Sequence, residues 1–319
     1  MGCNIYLGRG NQSCAVVSTG RDENVNGKVV FIGGANPSES FSDIHVLDLE
    51  TLSWNVTSPP GFTARYEHAS FIPASQPDHV YVIVGATQEG NVVDVQKYGV
   101  LADNWDKVKT TGPAISPRTH HSSVSIGDCI YFYSGGKSGP DPVQDRQVHC
   151  FNAATDTWSA LSVTGEGPAP RHGHTLCAIG DKLVCFGGMA GPKLYNDIYI
   201  LDLEKASWQC PKIKKATPSP RAAHSAVVYG KVMYVFGGLT KEGVASDELW
   251  KFDISIMQWT LCSLEGKFGK LVNLQRNGVL FILSPTAGSM IIALSCIVLA
   301  VSLLHFNDPS GLISHRVRP

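Results

Sequence analysis

The sequence predicts an all-β fold, a propeller in which small four-stranded sheets stand around a common axis. Three observations predict it. Glycine pairs recur after short strand-like runs, a tryptophan follows each pair at a near-constant distance, and Arg-x-x-His leads four of the units. The shared period is near 50 residues, and self-similarity at a fixed period marks a repeat architecture.

The pairs are Gly33 with Gly34, Gly135 with Gly136, Gly187 with Gly188, and Gly237 with Gly238; Val84 and Gly85 fill the remaining slot. Nine residues after each second glycine stands an acid: Asp43, Asp94, Asp145, Asp197 and Asp247. Trp54, Trp105, Trp158, Trp208 and Trp259 follow 11 to 13 residues later, in steps of 51, 53, 50 and 51. The leading motifs are Arg65/His68, Arg118/His121, Arg171/His174 and Arg221/His224, and a weakened copy begins at Arg9.

Each unit reads as four strands. In the unit from Arg221, these fall at 224–229, 232–236, 248–254 and 259–264, rich in Val, Ile, Tyr and Phe and bounded by turn residues. Gly230-Lys231 suits a tight hairpin between the first two. The glycine pair follows the second strand because the chain leaves the sheet there, and glycine tolerates positive φ and close backbone approach. The tryptophan covers one sheet face and presses on the next unit. A single sheet of this size leaves a face bare; stacking the units in a ring buries both.

Glycine pairs, a spaced aromatic and a tryptophan at this period resemble the kelch repeat. The resemblance covers residues 9–264, with repeats at about 9–60, 61–112, 113–165, 166–216 and 217–264 behind a lead-in of 1–8. Particular stretches go further: GGANPSESFSDIHVLDL (33–49), RYEHASFIP (65–73), SPRTHHSS (116–123), PVQD (142–145), PRHGH (170–174) and AAHSAV (222–227) closely resemble the family of Rab effectors with kelch motifs. That resemblance implies a non-enzymatic adaptor, cytoplasmic and peripheral to endosomal membranes. Its implied partner is a GTP-bound late-endosomal Rab GTPase, alongside other trafficking proteins, in transport from endosomes to the trans-Golgi network. The match ends near Gly266, and only eight residues precede Arg9, so the blade that closes the ring is expected to be incomplete.

Residues 265–286 read as a linker and 307–319 as a tail. Residues 287–306 (AGSMIIALSCIVLAVSLLHF) contain no Asp, Glu, Lys or Arg, and that length matches a membrane-crossing helix. The competing reading takes 271–284 as a hairpin around Asn277-Gly278 and the rest as a degenerate blade.

Composition narrows the function classes. A net charge of −1 favours neither nucleic acid nor anionic lipid as a global partner. Nine cysteines without a C-x-x-C pair read as free thiols of a reducing compartment. No H-x-H or H-E-x-x-H spacing supports a metal site, and no cofactor or catalytic residue is expected. The repeated Arg, His, Asp and Trp read as structural, because a functional site seldom recurs in every unit. Recognition is expected from the loops between each glycine pair and its acid (35–42, 86–93, 137–144, 189–196 and 239–246), equal in length, divergent in sequence and gathered on one face. Phe41, Lys137 and Tyr195 are the candidate exposed contacts. Two rival classes remain: another kelch interaction module, such as a ubiquitin-ligase substrate receptor or cytoskeletal binder, and a metal-dependent kelch-like enzyme.

Overall fold

A computed structural model describes residues 13–18, 27–36, 38–48, 51, 53–138, 141–241 and 243–262, together with the strands 279–283, 290–294 and 297–301. It contains five four-stranded antiparallel blades. Blade one is β1 Ser13–Ser18, β2 Gly27–Ile32, β3 Ile44–Asp48 and β4 Trp54–Thr57. Blade two is β5 Ala69–Phe71, β6 His79–Ile83, the small hairpin β7 Ala86–Thr87 and β8 Gly90–Asn91, then β9 Val95–Gly99 and β10 Asn104–Val108. Blade three is β11 Ser122–Ile126, β12 Cys129–Tyr133, the hairpin β13 Gly136–Ser138 and β14 Asp141–Pro142, β15 Val148–Asn152 and β16 Thr157–Ala160. Blade four is β17 Thr175–Ile179, β18 Lys182–Phe186, the hairpin β19 Met189–Ala190 and β20 Lys193–Leu194, β21 Ile198–Asp202 and β22 Ser207–Gln209. Blade five is β23 Ser225–Tyr229, β24 Val232–Phe236, β25 Leu249–Asp253 and β26 Gln258–Leu261.

Local chemistry sets these elements. Ile126 pairs with Cys129, Ile179 with Lys182, and Tyr229 with Val232, leaving two-residue turns headed by Gly127, Gly180 and Gly230 at φ near +60°. Glycine at the first turn position suits the twist of the flanking strands. The first strands of successive blades touch one another (β1 with β5, β11 with β17, β17 with β23), so they line the axis. Antiparallel pairing then puts the start of each inner strand and the end of the second strand on the same face. Both the glycine-pair loops and the links between blades therefore emerge together, while the tight turns occupy the opposite face.

The core is divided among the seams between blades. Trp105 closes the cluster between blades one and two, Trp158 that between two and three, Trp208 that between three and four, and Trp259 that between four and five. Phe186 of blade four meets Trp259 at 4.7 Å between ring centroids, and Tyr133 of blade three meets Trp208 at 5.6 Å. Each indole thus covers the face toward the preceding blade. Trp54, whose preceding neighbour would be the closing sheet, is only half-buried and leans on Phe31 within its own blade.

The expected membrane-crossing helix is corrected by the structure. Within 287–306, β28 Met290–Leu294 and β29 Ile297–Val301 are strands, and they pair with β27 Val279–Leu283 from the segment expected as linker. Among the described residues, no helix is long and apolar enough to cross a membrane. β29 packs against β23 and β1, between blades five and one, where a closing sheet belongs. A short apolar run fits a strand as well as a helix, and the Ile and Val content favours the strand. The expected hairpin turn at Asn277-Gly278 lies outside the described residues.

Candidate binding face

The face that carries the loops rests on a layer of clamps. Arg65 is fully buried, and all its donors are used: Nε to the Thr63 carbonyl (3.1 Å), Nη1 to the Val84 carbonyl (3.2 Å) and Asp94 (2.7 Å), Nη2 to Asp94 (2.9 Å) and the Gln96 side chain (2.9 Å). Arg118, Arg171 and Arg221 are likewise fully buried and repeat the plan. Each bonds the carbonyl two residues upstream, the carbonyl of the first residue after its second strand, and an acid at the start of its third strand. A guanidinium fits because its rigid fork satisfies several acceptors at once. The same layer joins the blades. Gly34, Gly135 and Gly188 donate their N–H groups to the carbonyls of Arg65, Arg171 and Arg221 in the next blade. A Cβ on Gly187 would stand 2.7 Å from the His224 ring and 2.8 Å from the Arg221 carbonyl.

The clamps correct the register read from the letters. In blade three the two left-handed residues after the second strand are Ser134 (φ 52°) and Gly135 (φ 114°), not Gly135 and Gly136. In blade two Val84 takes the first position at φ 57°, a strained conformation for a β-branched residue. In blade five the acid on Arg221 is Glu248, at 2.5 Å, while Asp247 is exposed. Burial alone would raise the Glu248 carboxyl, but hydrogen bonds from Trp250 and Arg221 outweigh it and hold the pKa below its ordinary value. Counted in structural register, the loops of blades three and five are one residue longer than those of blades two and four, so the five are not equal in length. The Glu248 carboxylate oxygen that accepts from Arg221 also accepts from Trp250 Nε1, at 2.9 Å.

The histidines lie between the blades. His68 reaches the backbone of Ile32 in blade one, His121 donates to the Glu67 carbonyl in blade two, and His224 meets Thr175 and Phe186 of blade four. Burial, reinforced by the neighbouring guanidinium, pushes His68 and His224 down to about 3, and burial pushes His121 to about 4. His174 is held well below its ordinary value by burial and then by Arg171. These rings are neutral packing groups at physiological pH. Among the described residues, no three His, Cys, Asp or Glu side chains converge as a metal-ligand set.

Sequence reasoning missed the third position of the Arg-x-x-His motifs. Glu67, His120, Gly173 and Ala223 are all left-handed, with φ of 51°, 47°, 62° and 55°. Their backbones link around the axis, Gly173 N–H to the His120 carbonyl (3.2 Å) and Ala223 N–H to the Gly173 carbonyl (2.7 Å). Glu67 binds both the backbone N–H of His120 (3.0 Å) and its ring (2.7 Å). That pairing raises the His120 pKa and, against the cost of burial, lowers that of Glu67. The available signal was the spacing itself, since no side-chain type is shared at this position.

The structure separates the three expected contacts. Lys137 is exposed on the β13–β14 hairpin, whose backbone carbonyl accepts a bond from Asn91 at 3.2 Å. Phe41 and Tyr195, expected to be exposed, are half-buried. Tyr195 is drawn inward because its ring covers the buried guanidinium of Arg171 at 4.1 Å. Near the outer edge of the same face, a groove of about 520 Å³ lined by Arg146, Leu161, Val163 and Trp208 opens between blades three and four.

This architecture, with its ring of clamps, seam indoles and loops on one face, defines a Kelch-repeat propeller. The family profile of the KLHDC2/KLHL20/DRC7 Kelch-repeats domain matches residues 22–145 and 131–273, and the chain belongs to that family. Among individual proteins, it is similar to the Rab9 effector protein with kelch motifs. The Bos taurus and Homo sapiens proteins are each 46% identical over 173 residues, 54% of this chain and 46% of theirs. The Xenopus laevis protein is 41% identical over 194 residues, 60% of this chain and 53% of its own. The chain spans about half the length of these curated relatives.

Proposed function

We propose that the protein is a non-enzymatic interaction adaptor that binds a Rab GTPase in its GTP form, acting in transport between endosomes and the trans-Golgi network. The observation that supports this reading is the 46% identity to proteins named as Rab9 effectors. The structure is compatible with it: the repeated Arg and His residues are buried or half-buried inside the frame, and the loops that differ from blade to blade share one face. That face, with Lys137 at its rim, is the proposed contact surface. The protein would then be cytoplasmic and associate peripherally with endosomal membranes through its GTPase.

The test is capture of the full chain on immobilised Rab9 loaded with GTP or GDP. Retention by the GTP form alone supports the effector reading. Equal or absent retention removes it and leaves a general Kelch interaction module.

A further inference from the structure

We propose that the sector of this face over blades four and five is a preformed docking site for an acidic segment of a partner protein that carries an apolar anchor. The inference deepens the adaptor reading and rests on it only in taking the partner to be a protein. Three segments build the sector: 189–196, the link 210–220 and the loop 239–247. Together they hold five lysines (Lys193, Lys212, Lys214, Lys215 and Lys241) against two carboxylates, Glu242 and Asp247. Among the described residues, none of these lysines is paired with a carboxylate, whereas Lys182 and Lys205, on the opposite face, pair with Asp202. The corresponding segments of blades one and two (35–42, 58–64 and 86–93) hold no lysine or arginine and two glutamates, Glu39 and Glu89. The positive charge is thus local, on a chain whose net charge is −1.

Two further observations point to a partner. Leu239 and Val244 are 48% and 62% exposed, on one loop inside the lysine sector. The backbone beneath them is fixed: Leu239 pairs with Ala222 and Ala245, and Thr240 N–H bonds the Val244 carbonyl at 3.0 Å. The first two segments are also tied together. Asn196 donates to the Pro218 carbonyl (3.2 Å), Arg221 N–H to the Tyr195 carbonyl (3.1 Å), and Ile213 is packed into the seam core between exposed Lys212 and Lys214. A fixed surface loses little freedom on docking, and cations without carboxylate partners on the same face as exposed aliphatic side chains complement carboxylates flanking an apolar side chain; Lys193 also lies over the Tyr195 ring at 4.9 Å. A bilayer fits less well, because two aliphatic side chains bury far fewer methylenes than a single myristoyl chain, itself a marginal anchor.

The experiment measures binding of the full chain to a labelled synthetic peptide of alternating glutamate and leucine, by fluorescence anisotropy at low and high salt. Vesicles of phosphatidylcholine with phosphatidylserine form the second arm. Salt-sensitive peptide binding is expected, weakened about tenfold by K212E/K214E and also weakened by L239S/V244S. The matched variant K107E/K109E, which reverses exposed lysines elsewhere, should bind as the wild type does. Unchanged thermal melting certifies each variant as folded. Equal weakening by both lysine variants, no peptide binding, or binding to the vesicles alone would overturn the proposal. Loss of GTP-dependent Rab9 capture with peptide binding intact would count against the effector reading and not against this site.

Discussion

Blades two and four have the same frame and opposite surfaces. Underneath, Arg65 grips Asp94 and Arg171 grips Asp197 with nearly the same set of bonds. Above, the blade-two loop offers Glu89 and no lysine, while the blade-four loop offers Lys193 and adjoins Lys212, Lys214 and Lys215. The difference teaches where the repeat constrains the chain. Every blade must end its second strand, turn the backbone out and meet its neighbour, so the residues that do this recur. The frame does not dictate which residue types stand at the loop tips, so their charge is free to diverge. Frame changes should therefore alter stability, and tip changes should alter binding.

The strongest attempt to break that division is Arg171→Ala. It would leave Asp197, the Gly187 carbonyl and the Ala169 carbonyl without their donor. Removing one partner of a buried ion pair costs about 3–5 kcal/mol, here toward the lower end because Asp197 is 32% exposed. Denaturant unfolding of the full chain should show that loss. Near wild-type stability would place the clamp outside the frame.

Acid should strain the frame next. His68 and His224 are held at about 3, below their ordinary value near 6.5. The unfolded chain takes up protons first as pH falls. Stability is therefore complete above about 6.5 and declines toward about 3, by roughly 1.4 kcal/mol per pH unit for each histidine. The melting temperature should fall between pH 6.5 and 4.5, and H68Q/H224Q should flatten that slope. An equal slope in both proteins would show that other groups govern the acid response.

Much of this was legible in the sequence because the frame repeats. Strand order, seam tryptophans and the sharing of one face by the loops all follow from periodic residues with a packing reason. Errors arose where one conformation accepts several residue types. Ser134 occupies a left-handed position where the letters pointed to Gly136, and the count of loop residues slipped with it. Residues 290–294 and 297–301 are open to a helical reading in the sequence because an apolar composition is common to membrane helices and to strands. Tyr195 looked like a surface contact, since nothing in its own neighbourhood shows that it covers a guanidinium 24 residues away in sequence. The charge polarity of the face was present in the letters, yet only the fold brings residues 193, 212–215 and 241 into one sector.

The finest test separates two adjacent acids. The letters align Asp247 with Asp94 and Asp197, but the guanidinium of Arg221 meets Glu248, which also accepts from Trp250 Nε1. Asp247→Ala should leave unfolding stability within about 0.5 kcal/mol, as exposed substitutions do. Glu248→Ala strips a buried arginine of its counter-charge, but the carboxylate is 39% exposed and water partly replaces it, so the loss should be about 1–2 kcal/mol. Glu248→Asp should recover only part of that, because the shorter arm cannot span the extra loop residue and still reach both donors. If instead Asp247→Ala were the costlier change, the clamp of blade five would use the register of blades two and four, and its longer loop would have no structural basis.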